Sequence, residues 1–325
     1  MTPVETAPER SDRPASVPWG AVGVFIVIAF GLAWLITIPM WRIDLSDPSS
    51  QTISNQLLAQ AVATGMMFTP AIATLVVVFA MKSPRTGRAR YLGLWPLRPA
   101  QRVVWFLVIG LFAPIVLVAL SLAVAIVCGW FTADFTNFSG FAATIGDVQI
   151  GMSVQTLVMF QLAIIPFGAL LNMLPAFGEE LGWRGWLLPT LMPLGTWPAL
   201  LVSGAIWGLW HSPIILLGHN FGLTDWRGVA LMTVGCVVWG VFFGWLRLRS
   251  ASVWPAVIGH GAINAAAGAF ALFAAADAPL SLPLVNPLGV SGWIAVSVVI
   301  VVLGLVGQFS RTPELAPKRH IENIA

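Results

Sequence analysis

The feature that most constrains this chain is a series of apolar runs, each about 20 residues long. A helix of that length crosses the roughly 30 Å hydrocarbon core of a bilayer. Of the 325 residues, 58% are hydrophobic and only 9% are charged, whereas soluble domains carry about 25% charged residues. The sequence therefore excludes a soluble globular protein and predicts an integral membrane protein.

The apolar runs predict an all-α, polytopic transmembrane helix bundle with about eight spans. Each run is continuously apolar and does not alternate as the strands of a membrane β-barrel do. The predicted spans are 19–41, 57–81, 103–128, 154–177, 198–217, 226–246, 253–275 and 292–309. We interpret residues 1–18 as a disordered cytoplasmic tail, 19–309 as one transmembrane domain and 310–325 as a second cytoplasmic tail.

The distribution of Lys and Arg orients these spans. The loop after the second span holds Lys82 and five arginines between residues 85 and 102, and no acidic residue. If this loop is cytoplasmic, both termini are cytoplasmic, and of the 16 Lys and Arg only Arg42 and Arg227 lie on the opposite side. The positive-inside rule then predicts a multi-pass protein of the cell membrane. Membrane lipid accounts for the dispersed cations, and no nucleic-acid partner is expected.

Ionisable side chains within the predicted spans are concentrated between residues 179 and 264. Such groups are costly in a bilayer and are functional candidates by default. They form three short patterns: Glu179-Glu180-x-x-x-Arg184, Trp207-x-x-x-His211 and His260-x-x-x-Asn264. His219 follows the end of a span, and we interpret it as an exposed loop residue.

In each pattern, the two residues that are four positions apart lie on one face of a helix: Glu180 with Arg184, Trp207 with His211, and His260 with Asn264. Glu180 and Arg184 can therefore pair and neutralise each other. Glu179 is rotated about 100° from Glu180 and stays free for chemistry. On the same argument, Trp207 lies one turn before His211 and can orient or shield that imidazole.

The depth of Glu179 in the membrane depends on where its helix ends. His211 lies about 20 Å into its own span, whereas a helix that ended at residue 180 would leave Glu179 near the surface. The two groups reach a similar depth if the helix continues to Pro189 and the chain turns at Pro193 and Gly195. We therefore expect this continuation.

These side chains suit two kinds of hydrolytic site. A glutamate can act as general base on a water that a histidine orients, while a second histidine and an asparagine donate hydrogen bonds to an oxyanion. Alternatively, Glu179, His211 and His260 could hold a zinc ion with an open water position. The cofactor is therefore zinc or none. The sequence has no His-Glu-x-x-His, Gly-x-Ser-x-Gly or Gly-x-Gly-Asp pattern, which argues against the zincin, serine and aspartyl types.

Two other classes of function stay open. The same ionisable groups could form the proton relay of a secondary transporter. They could also be retained as structure in a non-catalytic membrane scaffold or immunity protein. Only a protease would create new peptide ends.

The three patterns resemble the motifs of the CPBP family of intramembrane proteases, which includes CAAX prenyl endopeptidases and bacterial Abi-type proteins. The motifs of that family are Glu-Glu-x-x-x-Arg, aromatic-x-x-x-His and His-x-x-x-Asn or Asp, in this order on successive core helices. Trp207 is the one departure, because phenylalanine is commoner there. The resemblance covers roughly residues 155–275, which would form a protease-like core.

This resemblance implies an intramembrane endopeptidase that cuts a membrane-associated peptide or protein near the cytoplasmic face. By the same resemblance, Glu179 would activate the attacking water and His211 would help to hold it. His260 and Asn264 would stabilise the oxyanion.

The resemblance gives the remaining residues of the first motif a supporting role. Glu180 and Arg184 would maintain the structure or contact the substrate. Family members have been described both as metalloproteases and as metal-independent glutamate proteases, so the resemblance leaves the choice between zinc and no metal open.

Overall fold

A computed structural model of the chain describes residues 14–43, 50, 52–146 and 151–310. Among these residues, seven helices are long and apolar enough to cross a bilayer. Together with one shorter helix they are, in chain order, α1 Trp19–Thr37, α2 Ile53–Ala80, α3 Ala100–Val127, α4 Val154–Leu194, α5 Thr196–Trp210, α6 Trp226–Ser250, α7 Trp254–Phe273 and α8 Leu282–Leu305. The predicted polytopic helical bundle is confirmed.

The structure differs from the sequence prediction at the fifth predicted span, residues 198–217. Helix α5 has only 15 residues and ends at Trp210, which gives about 22 Å, short of the hydrocarbon core. Pro213 offers no N–H to the carbonyl of Leu209, which accepts from the Ser212 hydroxyl instead. A separate helix, Ser212–Ile215, follows. Within the described ranges, seven helices therefore have the length to span the membrane, against about eight predicted spans, and the orientation of the termini stays a prediction.

The predicted tails lie almost wholly outside the described residues. Only residues 14–18 of the first tail and residue 310 of the second belong to the described ranges. Helix α1 begins at Trp19, the residue at which the first span was predicted to start.

Helix α4 is the longest helix and carries the first motif. The side chain of Ser153 accepts a hydrogen bond from the N–H of Thr156 and so caps the first turn. The helix continues past Glu179 to Leu194, and the chain turns at Gly195, whose φ of 99° favours glycine. The expected continuation of this helix is confirmed.

The hydrogen bonding of α4 widens to that of a π-helix over Leu181–Leu187. The N–H of Leu188 bonds to the carbonyl of Trp183, and Pro189 has no N–H, so the carbonyl of Arg184 has no donor within the helix. The guanidinium of Arg247 on α6 donates to this carbonyl (Nε–O 3.1 Å). A buried arginine of α6 thus supports the widened segment next to the first motif.

Helices α4 to α7 pack closely around the centre of the bundle. Helix α7 lies along α4 and α3, and α6 lies along α5. Gly204 and Gly208 allow the approach of α5 to α6, because a Cβ at either position would overlap the Cα of Val237 or Thr233. Small residues four apart are typical of tight packing between membrane helices. The second motif therefore lies on a helix that is packed tightly against α6.

Candidate active site

The three predicted motifs meet at one cavity of about 320 Å³. Glu179 reaches it from α4, His211 from the end of α5, and His260 and Asn264 from adjacent turns of α7. The side chains of Glu179, His211 and His260 are buried, and Asn264 is exposed. The structure therefore brings together all four residues that the sequence indicates as catalytic.

Glu180 forms the structural ion pair of the first motif. One oxygen of its buried carboxylate accepts hydrogen bonds from Arg184 (Oε1–Nη1 2.8 Å) and from His260 (Oε1–Nδ1 2.9 Å). The Arg184 guanidinium also lies over the ring of Trp207, with its Cζ 4.2 Å from the ring centroid. The predicted pairing of Glu180 with Arg184 is confirmed, and the pair also holds the imidazole of the third motif.

Glu179 binds different partners from its neighbour and faces the cavity. Its Oε2 accepts a hydrogen bond from the indole N–H of Trp207 (2.6 Å) and a longer one from that of Trp183 (3.4 Å). Trp183 lies one turn further along α4, whereas Trp207 belongs to α5. The two adjacent carboxylates are thus separated as the helical spacing predicts, one in an ion pair and one at the cavity.

The hydrogen bonds at Nδ1 determine which nitrogen of each histidine is available. Nδ1 of His211 lies 2.9 Å from the carbonyl oxygen of Trp207, which can only accept, so Nδ1 carries the proton. Nδ1 of His260 donates to the Glu180 carboxylate. In both rings Nε2 is therefore the nitrogen left for a further partner. The predicted orienting contact of Trp207 with His211 is present, through the backbone of Trp207.

The described residues do not fit a metal centre. Glu179, His211 and His260 are the candidate ligands from the sequence, but in the described ranges no three His, Cys, Asp or Glu side chains gather as a set that could hold a metal ion. The mechanism proposed for the site therefore uses only its own side chains.

Four further polar side chains line the same cavity and lie outside the three motifs: Gln60, Asn172, His219 and Asn220. Asn172 lies seven residues before Glu179 on α4, two turns away on the same face, so helical periodicity could have found it. His219 is exposed, as predicted for a loop residue. Its place at the cavity depends on how the 211–225 segment folds back, for which the sequence carries no periodic signal.

Comparison with known proteins supports the resemblance that the motifs indicate. Residues 161–266 match the family described as type II CAAX prenyl endopeptidase Rce1-like. The CAAX prenyl protease 2 of Methanococcus maripaludis is 31% identical over 101 residues, which are 29% of this chain and 37% of that relative. The chain thus spans little more than a third of the length of the curated relative it matches. Residues 161–266 contain all three motifs, so the segment that carries them is the segment that is similar to the CAAX prenyl endopeptidases.

Proposed function

We propose that this protein is an intramembrane endopeptidase that hydrolyses peptide bonds of membrane-associated peptides or proteins. The observation that carries this proposal is the convergence of Glu179, His211, His260 and Asn264 on one cavity enclosed by apolar helices. Inserting this many polar groups into a membrane domain costs free energy, which favours a functional role for them. The name of the archaeal relative supports the same class of reaction.

The first chemical step is the activation of a water molecule. The Glu179 carboxylate removes a proton from the water as the oxygen attacks the carbonyl carbon of the scissile bond. Nε2 of His211, left as an acceptor by the hydrogen bond at Nδ1, holds the same water. The proton then passes from Glu179 to the leaving nitrogen, and the C–N bond breaks.

The oxyanion of the tetrahedral intermediate requires donors in the cavity. Asn264 supplies its amide N–H, and His260 supplies Nε2–H in its protonated form, whose charge faces the Glu180 carboxylate at 2.9 Å. Glu180 and Arg184 support this arrangement without contacting the reacting atoms. A preorganised donor of this kind contributes about 3 kcal/mol to lowering the barrier.

We place the site near the cytoplasmic side of the cell membrane. The segment after Glu179 packs against the basic loop that the positive-inside rule assigns to the cytoplasm, because the Trp186 indole donates to the carbonyl of Ser83 (2.8 Å). The last turn of α6 carries Arg247 and Arg249. It lies at the same depth as this segment of α4, because Arg247 bonds to the carbonyl of Arg184.

A second cavity supports substrates that carry a hydrocarbon group. It has about 380 Å³ and is lined almost entirely by apolar side chains of α3, α4 and α7. Ala266 lines this cavity and Ala267 lines the one that holds Glu179, so both cavities border the same turn of α7. We propose that a lipid-modified peptide or a transmembrane segment places its apolar part there.

The proposal is tested by comparing peptide N-termini by mass spectrometry in membranes from cells that carry the wild type, Glu179→Gln or Asp277→Asn. Asp277 is an exposed carboxylate outside the cavity, so its variant controls for the change of acid to amide. We expect new termini with the wild type and Asp277→Asn, and a loss of about 10²- to 10⁴-fold with Glu179→Gln. Identical termini in all three, at equal expression, would refute the protease and favour a transporter or a scaffold.

A further inference from the structure

The geometry points to Trp207 as a positioning residue for Glu179. Its indole N–H fixes one oxygen of the carboxylate, so that the other oxygen is presented to the water in the cavity. This inference rests on the proposed function, because it assigns Glu179 the role of general base. It adds a residue from a different helix to the groups that prepare the carboxylate for catalysis.

The hydrogen bond between Trp207 and Glu179 is the shortest contact recorded for that carboxylate in the described part of the chain. Its N–O distance is 2.6 Å, below the usual 2.9–3.0 Å for an N–H donor. The second indole, from Trp183, approaches the same oxygen at 3.4 Å. Both donors therefore act on Oε2, which leaves Oε1 for a substrate water.

The bond also joins the two helices that supply the base and its histidine. Trp207 lies on α5, while Glu179 lies on α4, 28 residues earlier in the chain. Because both side chains are buried, bulk water does not compete with the indole for the carboxylate, and the carboxylate keeps one orientation. A general base must be held in its reactive geometry before the substrate binds, and the bond from Trp207 holds Glu179 in this way.

Trp207 contacts the other members of the site through different parts of its structure. Its carbonyl accepts from His211, and the face of its ring lies against the Arg184 guanidinium. Its ring makes a T-shaped contact with the ring of His260, with 5.4 Å between the two centroids. Phenylalanine would keep the backbone carbonyl and an aromatic ring but would delete the N–H, so Trp207→Phe removes the bond to Glu179.

The kinetic test uses the full-length protein and a peptide that contains the cleavage site found by the comparison of termini. We expect Trp207→Phe to lower kcat by about 10- to 100-fold, the value of a hydrogen bond to a charged group, while KM changes by less than about twofold. Trp186→Phe is the matched control. Its indole is equally buried but donates to the carbonyl of Ser83, so its kcat should stay at the wild-type value.

An isosteric replacement separates the lost donor from any change in packing. Incorporation of 3-benzothienylalanine at position 207 keeps the size and shape of the indole and replaces only its N–H. We expect the same loss of kcat as in Trp207→Phe. Wild-type kcat with this residue, or an equal loss at positions 207 and 186, would overturn the inference.

A spectroscopic test does not depend on activity. In protein with ¹⁵N-labelled tryptophan, the indole N–H resonance of Trp207 is assigned by its absence from Trp207→Phe. We expect Glu179→Leu to move this resonance upfield and to leave that of Trp186 in place. An unmoved Trp207 resonance would overturn the positioning role. A moved resonance in a protein that generates no new termini would retain the contact and refute only the proposed protease.

Discussion

Helix α4 passes through two different surroundings along its 41 residues. In its first half, Phe167, Leu171 and Leu174 are 68%, 80% and 69% exposed. In its second half, every residue from 178 to 191 is buried. The first half packs one face on α7 and exposes the other on the outside of the bundle, whereas the second half is enclosed by the other helices.

This difference explains where the charged groups of the helix lie. Glu179, Glu180 and Arg184 all belong to the enclosed half, where α5, α6 and α7 supply hydrogen-bond donors and aromatic rings. A charge on the exposed face of the first half would have no such partner and would meet the full cost of hydrocarbon. The enclosed half also carries the π-helical turns, whose unpaired carbonyl needs a donor from another helix.

The largest expected effect comes from removing one partner of the buried ion pair. Glu180→Ala leaves the Arg184 guanidinium without its carboxylate in a position where both side chains are at most 2% exposed. We expect the free energy of unfolding to fall by about 3–5 kcal/mol. Titration with denaturing detergent, followed by circular dichroism, measures this loss.

A double variant separates the unpaired charge from the loss of volume. Glu180→Leu combined with Arg184→Met replaces the pair with apolar side chains, and we expect it to be less destabilised than Glu180→Ala. Wild-type stability of Glu180→Ala would contradict the view that the enclosed half depends on paired charges.

A second comparison makes the same substitution in both halves of α4. Leu187 is fully buried and Leu171 is 80% exposed. Leu187→Ala should lose about 2–5 kcal/mol of unfolding free energy, because a cavity forms among packed helices. Leu171→Ala exchanges one lipid contact for another and should change it by less than about 0.5 kcal/mol. Equal losses in the two variants would show that α4 is enclosed along its whole length.

The fold could be predicted to the extent that hydropathy indicates which segments lie in apolar surroundings. The seven long helices follow from apolar length, and the pairing of Glu180 with Arg184 follows from helical spacing. Hydropathy does not distinguish lipid from protein as a neighbour, so Leu171 and Leu187 look alike in the sequence. Hydropathy also does not register the effect of Pro213 on the helix, so the sequence predicts one span over 198–217 where the structure has a helix that ends at Trp210.

Some of the polar residues that line the candidate site could be predicted from the sequence, but their contacts could not. The three motifs identify Glu179, His211 and His260, because isolated polar groups in apolar helices are conspicuous. The bonds from Trp207 to Glu179 and from His260 to Glu180 join residues 28 and 80 positions apart. Such contacts depend on how helices pack, which no local spacing specifies.

The smallest expected effects come from replacing glycine with alanine, which should have opposite signs at an enclosed and at an exposed position. A Cβ at Gly182, in the enclosed half of α4, would lie 2.5 Å from the Cβ of Pro70 and 3.0 Å from its carbonyl oxygen. Neither atom can move without shifting α2, so Gly182→Ala should cost about 1–3 kcal/mol of unfolding free energy.

Gly31 is the matched control, because it lies on the exposed surface of α1 and a Cβ there would meet no atom within 4 Å. Gly31→Ala should stabilise the protein by about 0.5–1 kcal/mol, since alanine loses less backbone entropy in a helix. The same detergent titration measures both variants. Opposite signs would show that close helix contact, and not helix propensity, determines which residues the enclosed half accepts, whereas stabilisation by both would place α2 further from α4 than the structure has it.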